Sequence, residues 1–189
     1  MAILDNENGF VDPTNVSITP TGNKWGLIQG LVGVVLSLIF FMTGMMDMSG
    51  TKSNMIPNIL SYAAMITTLY LGIKAHKEED LGGYLSLGRA VKMGAYMGLI
   101  AGVLSAIFLF IYFKFIQPDF LNTITETAIS KAEEKGQDPE QVRKGMEMMG
   151  WMFNPGTFAL FGLLGSVLMS VIFSLIIGLI IKKDPPRPF

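Results

Sequence analysis

Four stretches of the chain carry no charged residue and are long enough to cross a bilayer. They cover residues 25–46, 53–73, 93–113 and, after the turn signal Asn154-Pro155-Gly156, 158–181. A helix needs about 20 apolar residues to cross a ~30 Å hydrocarbon core. A backbone in lipid must satisfy its own hydrogen bonds, so runs of this length predict helices. The alternation over about ten residues that marks a membrane barrel strand is absent. The expected fold is all-α: a polytopic membrane protein with four transmembrane helices and an amphipathic helical pair between spans three and four.

The polar segments complete the plan. Residues 1–23 hold Asp5, Glu7, Asp12, Pro13 and Pro20 and read as a polar N-terminal tail. A cleaved signal peptide opens with a short basic segment before its apolar run, which this tail lacks, so the first span reads as an uncleaved anchor. Residues 24–183 form one transmembrane domain and 184–189 a C-terminal tail. In the turn between spans two and three, Gly82-Gly83 marks a reversal and Ser86 stands in position to cap the third helix. His76, Glu79 and Asp80 in that turn read as a solvated elbow. Residues 117–155 form the one sizeable polar loop. In it Asp119 and Gly136 bracket one short helix, and Asp138-Pro139-Glu140-Gln141 opens a second. Val142, Met146, Met149 and Phe153 share a face of the second, as expected of helices lying at a membrane interface.

Four spans put both termini on one side. That side holds Lys24, Lys74, Lys77, Arg89, Lys92, Lys182, Lys183 and Arg187. Most basic residues of the other side lie in the 117–155 loop, far from the span ends. The positive-inside bias therefore places the termini in the cytoplasm. Anionic lipid headgroups are an alternative use of Lys74, Lys77, Arg89 and Lys92.

Composition agrees and excludes several chemistries. The 189 residues are 50% hydrophobic and 15% charged, with a net charge of −1. No basic face for nucleic acid exists in such a balance. There is no cysteine and one histidine, which removes disulfides, thiolate metal sites and catalytic histidine pairs. The spans hold no ionisable side chain besides tyrosines, whereas ion-coupled transporters place carboxylates or bases there. Gln29 and Asn58 are the most polar in-span residues and read as interhelical glue, with a substrate contact as the alternative.

The strongest pattern concerns packing. In the third span Ala90, Gly94, Gly98, Gly102 and Ala106 recur every four residues. In the fourth, Gly162, Ser166, Ser170, Ser174 and Gly178 do the same. Small residues on one face let backbones approach where lipid supplies no hydrophobic drive. The two ridges are expected to pack together within the chain, or else against a second protein. Methionines gather near one membrane face, among them Met45, Met46, Met48, Met146 and Met149. They read as flexible apolar filler, with soft thioether coordination of Cu(I) as the alternative. No other metal and no cofactor is expected.

Three segments carry a resemblance. They are Lys24-Trp25-Gly26, Gly82-Gly83-Tyr84-Leu85-Ser86-Leu87-Gly88-Arg89-Ala90 and Tyr112-Phe113-Lys114-Phe115-Ile116-Gln117-Pro118-Asp119-Phe120. Together they resemble the domain of unknown function 4199 family, small four-span proteins found mostly in Bacteroidota-type bacteria. The resemblance implies a bacterial inner-membrane location over about residues 24–183 and brings no activity with it. The expected role is a non-enzymatic subunit or organiser of a membrane assembly, whose partners are the lipid bilayer and either another membrane protein or further copies of the chain. The alternative is a transporter or channel component built by oligomerisation, with Gln29, Asn58, Ser166, Ser170 and Ser174 along its path.

Overall fold

A computed structural model describes residues 16–46, 54–152 and 154–184. Four long helices dominate: α1 (Thr19–Met42), α2 (Met55–Ala75), α3 (Leu87–Ile111) and α6 (Pro155–Ile181). Each is long and apolar enough to cross a membrane. A π-helical turn prolongs α2 over His76–Asp80, and another prolongs α3 over Tyr112–Ile116. Two shorter helices, α4 (Phe120–Glu134) and α5 (Pro139–Met148), form the amphipathic pair, and a single 3-10 turn joins α5 to α6. No strand occurs among the described residues. The chain is an all-α polytopic membrane protein.

Helix ends follow local chemistry. The Ser86 side chain accepts the Arg89 N–H at the start of α3, and Asp138 accepts the Glu140 N–H at the start of α5. Asp119 precedes α4 but its side chain makes no cap bond. Gly136, at φ +70°, follows α4, a left-handed conformation that glycine adopts freely. Two starts differ from the pattern-based reading. α1 begins at Thr19, inside the stretch read as tail, because Pro20 is preorganised for a first turn. α6 begins at Pro155, ahead of residue 158. Asn154 is an N-cap accepting from Thr157 N–H at 2.9 Å, so Asn-Pro here opens a helix instead of breaking one.

α3 is the central helix, packed on α6 along one side and α1 along the other, while α2 closes the bundle against α1 and α6. Many large apolar side chains of the spanning helices are exposed, among them Leu31, Ile107, Leu168 and Ile180. Water would not tolerate this outer surface, and hydrocarbon favours it. One core cluster, including Leu69, Ile73, Met93, Met97 and Ile177, lies toward the end where α1 begins and α6 ends. At the other end Phe41 stacks on Tyr112 at 4.5 Å, with Phe113 and Phe158 completing an aromatic cluster. Ile124 of α4 packs on that cluster and ties the amphipathic pair to the bundle.

Candidate functional site

The structure places the two small-residue ridges face to face. A Cβ on Gly94 would overlap Ser174, and one on Gly98 would lie 2.5 Å from the Ser170 Cβ. On Gly102 it would lie 3.1 Å from the Leu163 carbonyl oxygen, and on Gly178 2.9 Å from the Ala90 Cβ. Gly162 faces Leu109 of α3. Ser166 donates to the Gly98 carbonyl at 3.1 Å, a hydrogen bond between two spanning helices. Ser170 and Ser174 are fully buried. A second seam joins α1 to α3. Gly22, Gly26 and Gly30 of α1 meet Tyr96, Ile100 and Leu104 of α3, so α3 has close neighbours on two sides.

Gln29 and Asn58 are not brought together. Asn58 is exposed near the start of α2. Gln29 is buried on α1, and its Nε2 donates to Ser170 Oγ at 3.3 Å. Its Oε1 has no partner. A buried acceptor left unsatisfied costs about 1–3 kcal/mol. Gln29 lines a cavity of about 240 Å³ bounded by all four spanning helices, with Ser61, Met65, Ser105, Gly165 and Ser166 among its walls. The other buried orphan among the described residues is Trp25 Nε1, beneath the Gly72 contact.

The turn after α2 overturns the solvated-elbow reading. His76 is fully buried. Its Nδ1 lies 2.7 Å from Asp80 Oδ2, one helical turn away. Thr21 Oγ1 donates to the same carboxylate oxygen at 2.6 Å. Arg89 Nε donates to His76 Nε2 at 3.1 Å, and its Nη2 donates to the Val16 carbonyl. Arginine cannot accept a hydrogen bond, so His76 Nε2 must. The ring is therefore neutral, with its proton on Nδ1 and donated to Asp80. Nearby, Lys77 Nζ donates to the Ile181 carbonyl at 2.8 Å, and Leu85 and Lys183 exchange backbone bonds at 2.9 and 3.0 Å. The chain reverses at Gly82 and Gly83, at φ +60° and +90°. One polar knot thus ties the start of α1, the α2–α3 turn and the end of α6. Of the basic residues considered for lipid headgroups, Arg89 and Lys77 are engaged inside this knot, and Lys74 approaches Glu78 at 4.0 Å.

Along the sequence the charges around His76 read as a solvated elbow. The available signal was the i,i+4 spacing of His76 and Asp80, which stacks them only if α2 continues through the charged segment. Arg89 and Val16 come from distant positions and carried no such signal.

The methionines occupy separate elements. Met45 and Met46 follow α1, Met146 lies in the cleft between α4 and α5 with Glu126 and Arg143, and Met149 ends α5. Met48 lies outside the described residues. Among the described residues no group of three His, Cys, Asp or Glu could hold a metal ion.

No curated protein and no solved structure matches the chain. A family model described as a protein of unknown function, DUF4199, matches residues 24–183, which hold His76, Asp80, Arg89 and both small-residue ridges, and the chain belongs to that family.

Proposed function

We propose that the protein is a non-enzymatic subunit or organiser of an assembly in a bacterial inner membrane, with its termini in the cytoplasm. The observation that carries this reading is the α4–α5 pair. It spends many residues outside the bundle, yet α5 buries none of its own. Its charged residues Glu133, Glu134, Glu140, Arg143, Lys144 and Glu147 are exposed, and so are Met148 and Trp151 beside them. Exposed methionine and aromatic side chains next to mixed charge are the ordinary makings of a contact surface. The chemistry of His76 supports the non-enzymatic part. Both ring nitrogens are taken, by Asp80 and Arg89, so neither is free to move a proton for a substrate.

The test is native mass spectrometry of the tagged protein extracted in native lipid discs, run beside a variant whose residues 120–152 are replaced by a short glycine-serine linker. The expected result is a stoichiometric second protein with the full chain and none with the variant. A lone chain, or a closed ring of copies indifferent to the replacement, overturns the reading. The transporter alternative draws on Gln29, which lines a cavity inside one chain. Ser170 and Ser174 are occupied against α3, so a path along that stripe between copies would first have to open the α3–α6 seam.

A further inference from the structure

We infer that the cavity between the four spanning helices is a binding site for a small, uncharged, lipid-soluble molecule that carries a hydroxyl or N–H group. The polar observation is Gln29. Gln29 is only 7% exposed, it belongs to the cavity wall, and its buried Oε1 is an acceptor without a donor. Buried carbonyl oxygens in folded proteins find donors, so a missing donor on a residue that lines the cavity marks where one from outside belongs. The rest of the wall sets the remaining chemistry. It is mostly aliphatic and small, and Ser61, Tyr62, Ser105 and Ser166 are its hydroxyl-bearing residues. No charged side chain lines it, so an ion would meet no counter-charge.

Size and access narrow the class further. An apolar cavity of ~150 Å³ holds benzene. The 240 Å³ here suits an apolar body of about ten heavy atoms by that scale. Tyr62 of α2 lines the cavity and is also exposed on the outer surface of the bundle, so the wall reaches the lipid-facing side near it. Entry from the bilayer follows. The glycines on the wall make the space. A Cβ at Gly33 or Gly165 would meet nothing within 4 Å, in contrast to the glycines of the α3 seams.

The experiment uses the full chain in lipid nanodiscs and an octanol carrying a photoreactive diazirine. Expected is saturable labelling of wall residues such as Tyr62, Met65 and Met169. Plain octanol should displace the label at least tenfold more effectively than octyl methyl ether, which has no donor. Gly165→Phe fills the space from a position free of clashes and should cut labelling at least tenfold with little change in melting temperature. Gln29→Leu should weaken labelling by the octanol probe without abolishing it and erase the preference for octanol over the ether. If Gln29→Leu does not fold, the octanol-to-ether ratio on the unaltered chain still decides the hydrogen bond. Labelling that rises without saturation and spreads over lipid-facing residues, or that survives Gly165→Phe, overturns the site. Equal displacement by alcohol and ether overturns the role of Gln29.

Discussion

Arg89 donates its Nε–H to His76 Nε2 across 3.1 Å, and this one bond fixes the charge state of a fully buried imidazole. Asp80 accepts the hydrogen bond from Nδ1–H, so the ring sits between a cation and an anion without carrying charge itself. Acid would put a second proton on Nε2, facing the Arg89 donor, and the bond would break. The neutral ring is therefore the form the fold holds, while an unfolded histidine titrates near 6.5. By linkage, the stabilisation is complete above about pH 6.5 and is lost as pH falls below it.

A first prediction follows from that sign. In nanodiscs the melting temperature should drop by a few degrees between pH 7.5 and 5.5, a loss of at most about 1.4 kcal/mol for one pH unit below 6.5, at ~2–4 °C per kcal/mol for a chain of this size. His76→Asn should start lower at pH 7.5 and show a flat profile over the same range. A wild-type melting temperature that rises or stays level on acidification contradicts the tautomer.

Arg89→Lys should loosen the start of α1. The guanidinium serves His76 and the Val16 carbonyl from two nitrogens of one planar fork, which an ammonium cannot copy. Limited proteolysis should cut near Val16 and Ile18 at least several-fold faster in the variant, with the spans intact. Equal cleavage rates would separate Arg89 from the anchoring of this segment.

The seam between α3 and α6 predicts a contrast between two glycines. Gly98→Leu drives a side chain into Ser170, where even a Cβ comes within 2.5 Å, and overpacking of this kind costs about 1–3 kcal/mol or more. Gly165→Ala, in open space on α6, should leave the melting temperature within about a degree. Equal effects at the two positions would mean that the helices do not meet where the structure places them.

These predictions divide by what a linear pattern can carry. Spans depend on local composition, so charge-free runs near 20 residues were enough to locate all four, and the four-residue spacing of Gly94, Gly98 and Gly102 already implied a close helix neighbour. The polar knot was another matter. Lys77, Glu78 and Glu79 surround His76 with charge, which along the sequence reads as solvent. Only the continuing helix turns His76 inward while Glu78 and Glu79 stay out. Arg89 and Val16 then arrive through the packing of α1 on α3, which no spacing encodes. The cavity beside Gln29 was hidden for a similar reason. A glutamine in a span announces a polar contact, but an empty space depends on how Gly33 of α1 and Gly165 of α6 are left unfilled once the helices pack.

The last prediction concerns the junction between the amphipathic pair and α6. Asn154 accepts the Thr157 N–H at 2.9 Å and donates to Thr157 Oγ1 at 2.8 Å, while Thr157 Oγ1 donates to the Trp151 carbonyl at 2.9 Å. One side chain thus caps α6 and fixes the turn that delivers the chain from α5. Asn154→Ala should cost about 1 kcal/mol as a lost cap. The loss should be local, because the Gly98–Ser166 and Gly94–Ser174 contacts lie deeper in the bundle and do not depend on the cap. Hydrogen exchange should therefore quicken several-fold at Thr157, Phe158 and Ala159 and stay unchanged around Ser170. Asn154→Asp keeps the acceptor and should restore most of the protection. Protection that falls evenly along α6 would instead show that the helix is held as one unit from its cap.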